Sequence, residues 1–140
     1  MIRVVLDTNI IVSALLQPLG APAQVFALVL SDSIQLCVSA SVYAEYEEVL
    51  RRPRLRRSEN VIAGALDTIR KKGFWVRPSE RVNVCSDPDD NMFLECAQTA
   101  RADYLATGNL KHFPASWAGT RVVTARWLLE NVLEEFGETR

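Results

Sequence analysis

The chain has 140 residues, 16 Lys or Arg against 17 Asp or Glu, and a formal net charge of -1. At 49% hydrophobic and 24% charged it has the make-up of a globular domain, which excludes a disordered chain, a collagen-like fibre and a strongly basic nucleic-acid coat. A chain this long buries roughly two thirds of its unfolded surface, so one core and one domain over residues 1–140 are expected.

Ile2 to Leu6 reads as a short buried strand that ends at Asp7. An apolar helix follows from Thr8 to Leu16; Pro18, Gly20 and Pro22 then punctuate the way to a second helix over Ala23–Leu30. Ile34–Val38 is a second strand, after which Ser39 or Ser41 caps a third helix that Pro53 stops. Ser58–Lys72 is a fourth helix, with Ile62, Leu66 and Ile69 at helical spacing and Gly73 just past its end. Phe74–Val76, Tyr104–Ala106 and Arg121–Val123 read as strands, and Asp87–Arg101 as a helix with Pro88 in its first turn. Thr124 opens a last amphipathic helix through Leu133, leaving a polar, frayed tail from Glu134 to Arg140. Strands alternating with helices predict an α/β domain with a mainly parallel sheet.

No apolar run reaches the roughly eighteen residues of a membrane span, because Asp7, Asn9 and Ser13 interrupt the greasiest stretch. Asp7 also falls where a signal peptide would need its apolar region, so none is expected. Cys37, Cys85 and Cys96 show no C-x-x-C spacing. They fit reduced thiols and a cytoplasmic setting.

Four places carry polar groups suited to chemistry. Asp7-Thr8-Asn9 follows the first strand, at the edge of a parallel sheet where such folds bind ligands. Asp7 is there either a plain helix cap or a ligand. On the third helix Val42, Tyr46, Val49 and Leu50 form one apolar stripe, with Glu45 at its border and Glu47 and Glu48 turned outward. Glu45 is therefore the glutamate that would reach a cleft. In Asp87-Pro88-Asp89-Asp90, three acids within four residues repel one another and call for a cation or exposure. Asp90 shares a face with Phe93, Leu94 and Ala97 and should point inward, while Asp87 is the natural N-cap. Thr107-Gly108-Asn109 follows the strand at Tyr104–Ala106, either as a simple turn or as part of the same crevice. Clustered carboxylates suit Mg²⁺ or Mn²⁺, whereas a lone histidine, His112, and no spaced cysteine pair disfavour zinc. Asn9 stands where a haloacid-dehalogenase phosphatase needs Asp, which removes that reading. A phosphate-receiving signalling domain wants a lysine after a late strand, and Lys111 follows the wrong element.

In order along the chain stand Leu6-Asp7-Thr8-Asn9-Ile10, Tyr43-Ala44-Glu45-Tyr46 ahead of Val49-Leu50-Arg51-Arg52-Pro53, Asp87-Pro88-Asp89-Asp90-Asn91, and the run Ala102-Asp103-Tyr104-Leu105-Ala106-Thr107-Gly108-Asn109-Leu110. Together they resemble PIN-domain proteins of the group regarded as toxins of bacterial toxin–antitoxin pairs, over nearly the whole chain. The resemblance implies a three-layer α/β/α sandwich with a mainly parallel sheet of about five strands. It implies a divalent-metal ribonuclease acting on single-stranded RNA, with Mg²⁺ or Mn²⁺ held by Asp7, Glu45 and Asp90 and with Asp87 as an adjacent candidate. Thr107 matches a supporting hydroxyl, with Asn9 beside Asp7. Asn109 stands at a variable fourth position where many PIN nucleases carry Asp, so an amide replaces a charge there. The alternative is a PIN-like binding module, for RNA or protein, whose weakened acid set cuts poorly or not at all. Arg51, Arg52, Arg54, Arg56 and Arg57, with Lys111, are the candidate RNA contacts. An antitoxin protein and a second copy of the chain are the further partners that the resemblance implies.

Overall fold

The computed structural model describes residues 1–138. Its strands are β1 (Arg3–Leu6), β2 (Gln35–Val38), β3 (Phe74–Trp75), β4 (Tyr104–Ala106), β5 (Ser116–Trp117) and β6 (Thr120–Val123). Its helices are α1 (Thr8–Leu16), α2 (Ala21–Leu30), α3 (Ala40–Leu50), α4 (Glu59–Lys72), α5 (Asn91–Ala100) and α6 (Ala125–Glu138). The strands form one sheet in the order β3-β2-β1-β4-β6-β5, parallel throughout except for β5 against β6. This is the expected α/β sandwich with a mainly parallel sheet; six strands stand in place of about five, the short antiparallel β5 being the addition. No single described helix is long and apolar enough to cross a membrane.

Chain direction fixes the layers. From β1 the chain steps outward to β2 and then β3, and the right-handed crossover rule would set the connecting helices on one face, with α3 packing against α1, α4 and also α5. It then returns past β1 to β4, so α5 must cover the opposite face, and α5 does pack against β1, β2 and β4. On the first face α2 packs against both α1 and α6. Strand order therefore reverses between β1 and β4, and the crevice beyond their carboxyl ends is where an open α/β sheet offers a ligand site. Val4, Val5 and Leu6 of β1 are fully buried, as a central parallel strand covered on both faces requires.

Local chemistry explains the boundaries. The Ser39 hydroxyl accepts from the Val42 N–H and caps α3, and the Ser58 hydroxyl does the same for α4 through the Val61 N–H. Pro22 lies in the first turn of α2, so the helix starts two residues earlier than expected. The expected helix over Asp87–Arg101 divides into a 3-10 turn at Pro88–Asp90 and then α5. Asp87 causes the division: its carboxylate accepts from the Asp89 N–H at 3.0 Å and closes a tight turn first. Strand β5 pairs with β6 through a turn with positive φ at Ala118 (49°) and Gly119 (88°). An alanine in that conformation gives no turn signal in sequence, which is why β5 escapes a sequence reading. Helix α6 runs on to Glu138 in place of a frayed tail from Glu134, since no proline interrupts it and Glu134 and Glu135 are good helix formers. Residues 139 and 140 of that expected tail lie outside the described residues.

One buried polar contact ties α3 to the sheet. Tyr46 is fully buried and its hydroxyl donates to the Leu6 carbonyl at 2.5 Å, one residue before Asp7. Tyr46→Phe keeps the ring and removes that donor, so it should lower unfolding stability by about 1–2 kcal/mol in urea denaturation. An unchanged midpoint would show that the Leu6 carbonyl does not need this partner.

Candidate metal centre

The last backbone ladder bonds of the central strands run from the Asp7 N–H to the Ala106 carbonyl and from the Thr107 N–H to the Val123 carbonyl, each 2.9 Å. Beyond them the chain turns away, and the side chains of Asp7 and Thr107 are left adjacent. Asp7 is 7% exposed and Thr107 fully buried, and the Thr107 hydroxyl donates to Asp7 Oδ2 at 2.7 Å. Asp7 stands at the N-cap position of α1 but makes no side-chain capping bond there. Its Oδ2 is held instead by the Thr107 hydroxyl.

Each residue of Asp7-Thr8-Asn9 has a separate task. The Thr8 hydroxyl donates to Glu45 Oε2 at 2.5 Å, which draws the half-buried glutamate of α3 to the end of β1. Asn9 Nδ2 donates to Asp7 Oδ2 at 3.2 Å, and Asn9 Oδ1 accepts the Gly108 N–H at 3.1 Å. One amide thus staples the turn after β1 to the turn after β4. Thr107 acts in both senses, since its oxygen also accepts the Asn109 N–H at 3.0 Å.

Asp90 comes from the other face of the sheet. It is the N-cap of α5 but makes no capping bond, and its side chain is 17% exposed. Its Oδ2 is buried with no hydrogen-bond partner. Burial pushes the Asp90 carboxyl up to about 6, and the negative charges of Asp7, Asp87 and Glu45 add to the rise while His112 opposes it. Asp7 is also raised, by burial first, against the pull of the Thr107 hydroxyl and the main chain of Asn9 and Thr8. Asp7, Glu45 and Asp90 therefore share one electrostatic site. Asp87 is exposed and adds its field while its own carboxylate holds the Asp89 N–H.

Asn109 is exposed and joins the network through its main-chain N–H. The sequence gives no separate role to Thr8, which positions Glu45, and reads His112, whose Nδ1 lies 3.7 Å from Asp90 Oδ2, only as a lone histidine that disfavours zinc. A cleft of about 440 Å³ lined by Gly108, Asn109, Leu110, Lys111, His112 and Thr124 opens beside them.

The arginine-rich loop is largely committed elsewhere. Arg51 pairs with Glu59 and Arg52 with Glu48. Arg57 donates to the carbonyls of Leu15 (3.1 Å) and Leu16 (3.5 Å), the last residues of α1, where a cation suits the helix dipole. Arg56 sits exposed in the left-handed region, φ 55°. The Arg54 side chain lies outside the described residues.

The donor set fits a hard divalent cation. Buried charge is tolerated when it is paired or coordinates a metal. Among the described residues no Lys or Arg pairs with Asp7, Glu45 or Asp90. Nor, among them, do three His, Cys, Asp or Glu side chains stand close enough to chelate an ion unaided. One or two carboxylates with water completing the shell is how Mg²⁺ is usually held, and the free Asp90 oxygen fits that mode.

Three comparisons bear on the chain. The family model described as PIN domain matches residues 3–111. An uncharacterized protein of Methanocaldococcus jannaschii is 34% identical over 104 residues, covering 72% of this chain and 67% of that protein. In solved structures, the fold is similar to a chain in VapBC2 from Rickettsia felis bound to a DNA fragment from their promoter. The TM-score is 0.55 and the identity 16%, over 86% of this chain and 98% of that one.

The raised Asp90 carboxyl makes a pH prediction for the metal-free protein. The folded state holds this proton more tightly than the unfolded chain between the ordinary value of 3.8 and about 6, so stability falls as pH rises through that window. Asp90→Asn should therefore stabilise the protein above about pH 6, by on the order of 1 kcal/mol after partial screening by water, and not near pH 4. Thermal melts at both pH values in chelator check this; equal effects at both would mean that Asp90 ionises without strain.

Proposed function

The chain belongs to the PIN-domain family, whose members are generally nucleases, and we propose that it is a divalent-metal ribonuclease that cleaves single-stranded RNA, as the toxin of a toxin–antitoxin pair. The observation that carries this reading is the buried, partnerless Asp90 oxygen beside Asp7 at the point where strand order reverses. Asp7 and Asp90 would hold Mg²⁺ or Mn²⁺, with Glu45 alongside and Asp87 contributing from the rim. The ion would supply Lewis acidity toward a phosphodiester oxygen and toward a water.

The rest falls to the chain. Glu45, held by Thr8 with its second oxygen unassigned, orients the attacking water and accepts its proton. Thr107 and Asn9 aim Asp7 by hydrogen-bonding its carboxylate, and the Thr107 hydroxyl opposes the rise that burial imposes on it. The cleft beside Asn109 and Lys111 has room for a strand of substrate, with Lys111 and Arg56 the exposed cations that would meet phosphate. Asn109, at the position where the resemblance places a fourth acid, contributes an amide and no charge. An apolar groove of about 250 Å³ lined by Val12, Leu16, Val49, Leu55 and Arg52 lies on the α1–α3 face. It supports an antitoxin or a second copy of the chain as partner. The Rickettsia neighbour is named for a VapBC assembly, which agrees with the toxin reading. A cytoplasmic location suits an enzyme acting on RNA.

Against a pool of single-stranded RNAs, cleavage should vanish in chelator and return with Mg²⁺ or Mn²⁺, and Asp7→Asn should reduce it by about 100-fold or more. Cleavage that survives both chelator and Asp7→Asn would remove the metal nuclease reading. Binding without metal-dependent cleavage would leave the binding module in its place.

The adjacent, exposed Arg56 and Arg57 should behave differently. Arg56→Ala should weaken RNA binding alike for unrelated sequences and reduce the slope of log affinity against log salt by about 1. Arg57→Ala should instead lower the melting temperature through α1. The reverse pattern would place Arg57, not Arg56, on the RNA.

A further inference from the structure

His112 is the chain's one histidine. The short 3-10 turn Leu110–His112 brings it over the crevice, where Nδ1 faces Asp90 Oδ2 at 3.7 Å. That separation is too long for a hydrogen bond. The oxygen it faces is the buried one with no partner. The side chain is 54% exposed, so the ring is not a packing element of the core.

Neither hydrogen bonding nor core packing holds the ring there, and the contact is an ion pair only when the imidazole is protonated. Two donors that face each other across 3.7 Å, without touching, can meet at one divalent ion, because metal–nitrogen and metal–oxygen bonds are each about 2 Å. The half-exposed ring is free to adjust by the small rotation this needs. Asp90 and Asp7 are the oxygen donors already proposed for the metal, so the imidazole would add a nitrogen beside Asp90, with water closing the shell, since among the described residues no three such side chains already stand close enough to hold an ion.

Resting on the metal-site reading above, we infer that His112 is a nitrogen ligand of this centre and biases it toward Mn²⁺ over Mg²⁺. Mg²⁺ keeps oxygen ligands and much of its water, whereas imidazole favours first-row transition ions. The carboxylate majority leaves the centre short of the nitrogen and sulfur donors that a structural zinc site uses. Exchange of the amide Asn109 for an acid would change charge, while exchange of His112 changes which ion is preferred. The two positions therefore have separable effects.

The test uses the untagged full chain, MnCl₂ and MgCl₂, and needs no activity measurement. Because the chain has one histidine, a directly bound imidazole ¹⁴N signal in pulsed EPR of the Mn²⁺-loaded protein has one source. That signal is expected in the parent and absent in His112→Ala. Mn²⁺ affinity by calorimetry should fall about tenfold in the variant, with Mg²⁺ affinity changed by less than about twofold. Bound Mn²⁺ that is sensitive to Asp7→Asn but shows no ¹⁴N coupling overturns the inference and leaves the metal site standing. An unchanged Mn²⁺-to-Mg²⁺ preference in His112→Ala overturns it equally. No Mn²⁺ binding by the parent, or binding indifferent to Asp7→Asn, overturns the metal-site reading and this inference together.

Discussion

The Thr107 hydroxyl donates to the Asp7 carboxylate across a hundred positions of sequence, and the arrangement of the crevice depends on that contact. It exists because β1 and β4 are neighbours in a fixed register, with Val4 beside Tyr104 and Leu6 beside Ala106. A slip of one residue would turn both end residues to opposite faces and separate them. Buried apolar side chains on β1 and β4 hold the register, so the packing of the core is what places a carboxylate and a hydroxyl within bonding distance. Asn9 then repeats the link from the other side by joining Asp7 to the Gly108 N–H. Two short turns, each flexible alone, become one rigid edge.

Acids are drawn to this edge against their electrostatic preference. Thr8 holds Glu45, and the turn closed by Asp87 ends just before α5, which leaves Asp90 at a helix start with no capping bond to make. An N-cap aspartate normally accepts a backbone N–H and gains stability from it. Asp90 does not, and its buried oxygen stays free. Strain of this kind persists where surrounding structure over-determines it, and it collects at functional sites. The free energy lost in crowding like charges is what a bound cation would recover.

Most of the fold was legible in the sequence because its elements are short, apolar and well punctuated. Ser39, Ser58 and Pro22 mark helix starts by local chemistry that needs no tertiary context. Asp7, Glu45 and Asp90 were legible for a different reason: the ends of strands and the borders of apolar stripes show which polar residues cannot escape the core. What escaped were features set by space and not by pattern. Strand β5 hangs on a left-handed Ala118, which no propensity favours. Thr8 looked like a helix residue, and only the approach of α3 gives its hydroxyl a carboxylate. Arginines 51, 52 and 57 read as one basic patch, yet Glu59, Glu48 and the end of α1 each claim one.

That distribution of cations bears on how the crevice can work. The loop holding Arg51 to Arg57 follows the helix that carries Glu45, so a long guanidinium reaching back to neutralise the acids would have been a simple solution. Such a pair would relieve the repulsion between Asp7 and Asp90 and raise the stability of the metal-free protein. It would also occupy the oxygens that a divalent ion needs, since a bidentate arginine and a cation compete for the same lone pairs. The structure instead secures Arg51 and Arg52 to exposed acids and Arg57 to carbonyls, where each contributes little to stability. Among the described residues the basic side chain that faces Asp90 is an imidazole, which unlike arginine has a neutral form that can share a metal with the acids.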